Sequence, residues 1–416
     1  LGVLKAGGAY MPILPEFPSE RIEYMFQIAN VKMLLTYGNI QSSVYVSGVN
    51  NVSLEVFNYA ANIFPVSNCN QMQDLCYIIF TSGSTGQPKG VSISHSNVLS
   101  YCYANTNNII SEKNRSIISV TSIVFDIFVT ESILPLLNGL TIYMANDAEV
   151  MSQAEISNLV IYNGIDVMQA TPTKMKSYIL DRKNLKYLSV IKTIILGGEV
   201  LSEELYKDLL IYSNARIFNI YGPAETTVWS TISLVDGEDI TIGSPIANTQ
   251  IYILDKNQKP CPIGVAGELC IAGTGVGKGY LNRPELTAEK FVPNPFATVE
   301  NRHGKIMYHT GDLACWRADG EIEYLGRIDT QVKIRGLRIE LGEIENVMSS
   351  FDGIGLTAVT DKCDENHRQY LVGYYTAKKE VDETELRNYL SSKLPKYMIP
   401  NYFMKLDSMP MTASGK

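Results

Sequence analysis

The chain has 416 residues, 45% hydrophobic and 19% charged, enough apolar material for two or three domains with real cores, which excludes a disordered or fibrous protein. Its formal charge of −8, with no long Lys/Arg block, excludes an electrostatic footprint for nucleic acid or an anionic membrane surface. No apolar run approaches the ~18–20 residues of a membrane helix. Seven cysteines, at 69, 76, 102, 261, 270, 315 and 363, form no CxxC pair. That spacing argues against a disulfide framework or a zinc site and for a reducing, cytoplasmic setting. The chain opens at Leu1 without a basic leader, so no signal peptide is expected, and both ends are expected to continue into a longer protein.

In chain order, residues 77–80 (YIIF) read as a buried strand that runs into a glycine- and hydroxyl-rich loop. Strands are predicted at 116–121, 166–170, 193–196 and 216–221, alternating with helical patterns as in βα units on a mainly parallel sheet. From 239 the texture changes to short strands at 250–254, 267–272 and 321–325, separated by Gly- and Pro-bearing turns, which predicts a small antiparallel β-barrel or meander. A small α+β unit follows. Its helices are predicted near 341–351 and 383–394, its strands at 355–359 and 370–375, with Asp382 and Glu385 at capping-box spacing and Pro395 as the stop. The expected fold is α/β: a large N-terminal domain, 1–328, with layered, mainly parallel sheets and the barrel region at about 239–328. A hinge at Asp329 joins it to a small, mobile α+β C-terminal domain, 329–416.

The loop TSGSTGQPKG at 81–90 can cradle a polyphosphate. Glycines let backbone N–H groups approach oxygen closely, the hydroxyls of Thr81, Ser82, Ser84 and Thr85 add donors, and Lys89 supplies a point charge. A plain Gly/Ser surface turn is the competing reading; the apolar strand before the loop and the lysine after it favour phosphate. The loop is not a P-loop, because Lys89 lies between Pro88 and Gly90 and lacks the following Ser/Thr. Nor is it a serine-hydrolase elbow, because Ser82 rather than glycine stands two places before Ser84. LGGE at 196–199 is close to a carrier-protein phosphopantetheine site, but Val200 stands where the serine is needed.

Nine segments together carry a resemblance: LKAGGAYMPILP at 4–15, the loop at 81–90, FDIFVTE at 125–131, NIYGPAETTVW at 219–229, GELCIAGTGVGKGYLNRPELTAEKF at 267–291, YHTGDL at 308–313, GRIDTQVKIRGLRIELGEIE at 326–345, LPKYMIP at 394–400 and SGK at 414–416. In this order they resemble the amino-acid adenylation domains of nonribosomal peptide synthetases, in the adenylate-forming superfamily. The resemblance implies attack of an amino-acid carboxylate on the α-phosphorus of ATP, release of pyrophosphate, and transfer of the aminoacyl group to a phosphopantetheine thiol on a carrier domain. By that resemblance, Thr81, Ser82, Gly83, Ser84, Thr85, Gly86 and Lys89 hold the phosphates and Glu225 anchors Mg²⁺. Tyr221, Asn219 and Gly222 border the adenine, and Asp312 and Arg327 meet the ribose. Lys416 bridges carboxylate and phosphate. The family usually has threonine before this glutamate. Here Ala224 stands there, and Thr226 is a candidate to compensate. Expected partners are a peptidyl carrier, a condensation domain and a small activator protein.

The substrate pocket implied by the same motifs comprises Asp126, Ile127, Thr130, Gln169, Ile195, Gly197, Ile220, Val228 and Trp229, completed by Lys416. A buried charge must be paired, so Asp126 implies a substrate with a free amine. The bulk of Gln169 and Trp229 leaves little space, and the pattern is similar to that of glycine-activating domains. Alternatives are an acyl- or aryl-acid CoA ligase of the same superfamily and an inactive interaction remnant.

Overall fold

A computed structural model describes residues 1–38, 46, 48–57, 67–83, 86–106, 108–111, 113–237, 239–298, 304–364 and 369–410. Its centre is a seven-stranded sheet. Five strands run parallel, in the order Arg216–Tyr221, Thr193–Gly197, Val167–Ala170, Ser116–Ser119, Thr141–Met144. Thr231–Leu234 and Ser244–Pro245 extend it antiparallel beyond Arg216–Tyr221. Both faces are buried, which is why the strands read as continuous apolar runs. Alternate residues feed different cores: Ile117, Val167, Ile195, Phe218 and Ile220 join one apolar cluster, and Ile118, Met168, Ile194, Leu196 and Ile217 join the other. Crossover helices cover the second face. Gln153–Asn163 and Glu203–Tyr212 are capped by the Ser152 and Ser202 side chains, each accepting a backbone N–H of its own helix's first turn.

The predicted strand at 116–121 stops at Ser119 because the Val120 and Thr121 N–H groups turn to the Glu131 carboxylate instead of a neighbouring strand. The strand Leu75–Thr81 pairs antiparallel with Lys89–Ser94, so the phosphate-type loop is the tip of a hairpin and Thr81 lies opposite Lys89. Gly83 is required there, since a Cβ would sit 2.1 Å from the Gln87 carbonyl oxygen.

Between residues 249 and 327 lies a five-stranded antiparallel sheet, opened by Thr249–Leu254, which pairs with Gly267–Gly273. Ile306–Trp316 is its longest strand, pairing with Gly267–Gly273 on one edge and with Phe291–Pro293 and Ile322–Arg327 on the other. The C-terminal segment has its own apolar cluster, including Ile339, Ile344, Leu371, Leu386 and Met398. Its strands Ile354–Cys363 and Gln369–Ala377 outrun the predicted ones, and the unforeseen strand Tyr402–Leu406 pairs parallel with the latter. Asp382 caps the helix Glu383–Lys393 by accepting from Thr384 and Glu385, and Pro395 ends it. Among the described residues no helix is long and apolar enough to cross a membrane.

Candidate active site

The hairpin tip, the short turn Ala224–Thr226 and the C-terminal segment converge on one carboxylate. Glu225 is fully buried. Its Oε2 accepts from Arg338 Nη1 at 2.7 Å, and its Oε1 accepts from the Tyr280 hydroxyl at 2.8 Å and lies 3.6 Å from Lys89 Nζ. Burial pushes this carboxyl up, but Arg338 and Lys89 outweigh it and hold it at about 2. Lys89 Nζ also stands 3.6 Å from Glu340 and 4.8 Å above the Tyr280 ring, and its pKa is lowered by burial first and the Arg338 charge second. The loop itself is gripped from the C-terminal side: Ser82 Oγ donates to the Arg338 carbonyl, the Gly83 N–H donates to Glu343, and Glu343 pairs with Arg21 at 2.6 Å. Thr81 Oγ1 is buried without a partner among the described residues. The free Thr81 hydroxyl and Lys89 on one hairpin are donors that fit phosphate oxygens, joined by the Gly83 N–H once Glu343 withdraws from it, and Glu225 is the hard oxygen ligand a magnesium ion prefers.

Beside this centre, the Tyr221 hydroxyl donates to Asp312 Oδ2, and Arg327 Nη1 donates to Asp312 Oδ1 at 2.8 Å. Arg327 also grips Asp329 through Nε and Nη2, both at 2.6 Å. Lys333 Nζ lies over the Tyr221 ring, 5.5 Å from its centroid. The Asn219 amide donates to the Thr241 carbonyl. The Thr226 hydroxyl is spent within its own turn, bonded to Ser230 Oγ at 2.7 Å and the Pro223 carbonyl. In this arrangement it does not stand in for the hydroxyl missing at Ala224. Ser84, Thr85 and Lys416 lie outside the described residues.

The third part is a largely apolar cluster of side chains around Asp126, with Glu131 behind Gln169. Asp126 is pushed up to about 7, first by burial and second by the charge of Glu225, with the Ile127 and Val228 N–H groups acting in the other direction. Trp229 turns inward: a Cβ on Gly197 would meet its indole at 2.8 Å and Ile220 at 2.7 Å, so glycine alone fits at 197. Trp229 Nε1 approaches Gln169 Oε1 at 3.4 Å, and Gln169 Nε2 donates to the Ile127 carbonyl at 3.0 Å. Thr130, Ile195 and Val228 expose no surface; Thr130 bonds to the Tyr101 hydroxyl behind the pocket. Thr227 and Val228 carry φ of +66° and +69°, a strained backbone for β-branched residues, between Glu225 and Trp229.

Sequence reasoning assigned no role to Glu131, Tyr280, Arg338, Glu340 or Glu343. Glu131 closes the FDIFVTE motif, and its terminal position there was the available signal. It is fully buried, accepts two backbone N–H groups and Thr121 Oγ1, and anchors Gln169 Nε2 at 2.9 Å. Glu131→Gln would aim an amide donor at these donors. We expect it to cost about 1–3 kcal/mol of stability in chemical denaturation and to shift the Trp229 emission through Gln169. An unchanged emission would detach Glu131 from the pocket.

The family model for AMP-binding enzymes matches residues 1–281, and that for the AMP-binding enzyme C-terminal domain matches residues 343–416. The chain belongs to the AMP-binding enzymes. It is 42% identical over 425 residues to bacitracin synthase 1 of Bacillus licheniformis and 40% identical over 420 residues to gramicidin S synthase 2 of Brevibacillus brevis. All of this chain aligns in each case, to 8% and 9% of those proteins, so it spans less than a tenth of their length. Among solved structures it is similar to a holo four-domain nonribosomal peptide synthetase bound to AMP and glycine, with 34% identity, a TM-score of 0.69, and all of this chain on 30% of that one. A holo synthetase with adenylation and PCP domains, bound to a vinylsulfonamide inhibitor, shares the fold at a TM-score of 0.87 with 24% identity, covering 70% of that chain. This AMP-binding enzyme is thus similar along its whole length to parts of nonribosomal peptide synthetases, the resemblance its motifs carry.

Proposed function

We propose that this chain activates glycine as glycyl adenylate with release of pyrophosphate, then passes it to the phosphopantetheine thiol of a carrier domain. The observation that carries the substrate choice is the indole of Trp229 packed against Gly197, next in sequence to Val228, whose N–H bonds to Asp126. Asp126 holds the substrate ammonium, and the filled wall of Trp229, Gln169 and Ile220 rejects a side chain. Glycine in the 34% identical synthetase structure supports this reading.

The two reacting groups are both anions, so the contribution of the chain is positioning and charge neutralisation. The hairpin tip, with Thr81, Ser82, Gly83 and Lys89, holds the phosphates of the ATP substrate. Tyr221 and Asn219 border its base, and Asp312 with Arg327 its ribose. Magnesium, held by Glu225, would supply charge neutralisation at the phosphates. Glu225 takes it only when Arg338 is withdrawn, so the segment 329–416 pivots about Asp329 between a pose that frees Glu225 and the one described above. Lys416 enters in the first pose. The rest of a multimodular protein, a condensation domain and an activator protein are the partners this activity calls for.

Pyrophosphate exchange across all amino acids tests the proposal. Glycine should lead, with alanine lower by a factor of about ten or more, since an extra methylene in a filled site costs ~1–3 kcal/mol. Exchange with acetate or benzoate but no amino acid would replace this reading by the CoA-ligase one. Trp229→Ala should lower stability by about 3–5 kcal/mol and erase the preference for glycine over alanine. A preference that survives would place the indole outside the selecting wall.

A further inference from the structure

Away from this cleft, the antiparallel sheet assembles three metal-type donors that linear spacing does not reveal. Glu268 and Cys270 stand two residues apart on Gly267–Gly273, and His309 lies directly opposite Cys270 on Ile306–Trp316. A bulge between Glu268 and Cys270 gathers Glu268 toward His309. His309 Nδ1 is 2.9 Å from Glu268 Oε2 and 3.5 Å from Cys270 Sγ, and the three donor atoms lie within 4.8 Å of one another. Zinc–sulfur and zinc–nitrogen bonds of ~2.3 and ~2.0–2.1 Å at a tetrahedral angle set an S···N edge of about 3.5 Å and an N···O edge of roughly 3.3 Å. The S···N edge already matches, and the N···O edge of 2.9 Å opens by a few tenths of an ångström to admit the ion.

Glu268 and His309 line a surface cavity of about 490 Å³, while Cys270 is buried behind them. The cavity gives an ion an entry path and leaves a position for water or a further ligand. Its lysine, Lys290, pairs with Glu289 at 3.7 Å, and its charge also acts on Glu268, helping to keep that carboxylate ionised. Glu268 Oε1 accepts the Gly311 N–H at 3.0 Å, leaving Oε2 toward the triad.

We propose that Glu268, Cys270 and His309 form a three-ligand site for a borderline-soft divalent cation, zinc by its O, S and N donor set, open on the cavity side. On binding, the Cys270 thiol releases its proton to solvent and the sulfur becomes a thiolate ligand. His309, whose Nδ1–H faces Glu268 Oε2 in the metal-free protein, changes tautomer through solvent: the Nδ1 proton leaves, Nε2 takes one up, and the Nδ1 lone pair goes to the ion. The ion clips Gly267–Gly273 to the bulged stretch of Ile306–Trp316, three residues before Asp312, and braces the strand that carries that carboxylate.

Cobalt(II) is the probe. It is titrated into metal-free intact protein in which the exposed Cys69 and Cys363 are replaced by serine. One equivalent should produce a thiolate-to-cobalt charge-transfer band and tetrahedral d–d bands, both bleached by zinc. Cys270→Ser should remove the charge-transfer band, and His309→Gln should weaken cobalt binding at least tenfold. No band in the parent protein, a band that survives Cys270→Ser, or affinity unmoved by His309→Gln overturns the proposal. If Cys270→Ser folds poorly by circular dichroism, His309→Gln decides alone, because a bystander imidazole leaves the affinity unchanged.

Discussion

Asp126→Asn is expected to lower glycine-dependent pyrophosphate exchange by about 10²–10³-fold, the loss for a buried ammonium left without its partner. The same change should make the substrate-free protein more stable above neutral pH. Burial, then the Glu225 charge, pushes the Asp126 carboxyl up to about 7. A carboxyl raised on folding contributes stability that is complete below its unfolded value and is lost as pH rises through the folded one. The wild-type chain therefore loses stability between about pH 4 and pH 7, and the amide variant does not. The melting-temperature gap between variant and wild type should widen from about pH 5 to pH 8, and saturating glycine should narrow it by stabilising only the wild type. Parallel stability profiles, or intact exchange, would remove Asp126 from the proposed role.

Glu225→Gln is expected to act through the opposite sign. Its carboxyl is held at about 2, against burial, by Arg338 and Lys89. Stability from this charge is present above the unfolded value near 4.5 and is lost as pH falls through about 2. The amide keeps a partner for Tyr280 but leaves Arg338 without its ion pair and Lys89 with Glu340 alone, so the variant should lose about 3–5 kcal/mol near neutral pH. The deficit should shrink on acidification. Exchange should fall by at least about 10²-fold. Arg338→Ala separates two roles of the site: it breaks the same 2.7 Å pair, yet exchange should persist if, as proposed, Arg338 is withdrawn from Glu225 during adenylation. Equal loss of exchange in both variants would mean that Glu225 works only as a dock for Arg338.

The fold was legible where physics is local. Apolar runs buried on both faces gave the central strands, and Asp382 with Pro395 marked both ends of the helix Glu383–Lys393. The convergence of Asp126, Gln169, Gly197, Ile220 and Trp229 was legible through motif order, because each sits at the end of a strand or on the turn after one. What stayed hidden depends on contacts across the chain. Arg338 is one cation in the mixed run KIRGLRIE, and only its reach across 113 positions to Glu225 distinguishes it from a solvated neighbour. Glu343 is likewise ordinary in sequence until Arg21 and the Gly83 N–H meet it. The partners of Thr226 were hidden for a local reason: a hydroxyl in a tight turn bonds close by in sequence, here to the Pro223 carbonyl and Ser230.

The two left-handed residues, Thr227 and Val228, have a consequence for redesign. They tie the electrostatic centre at Glu225 and the proposed size filter at Trp229 into a single five-residue segment with a strained backbone between its ends. Grafting a new selectivity by exchanging wall side chains one at a time will pull on the turnover machinery, so recruits with altered appetite should be slow. The natural unit of transplantation is the whole segment from 222 to 229, moved with its backbone.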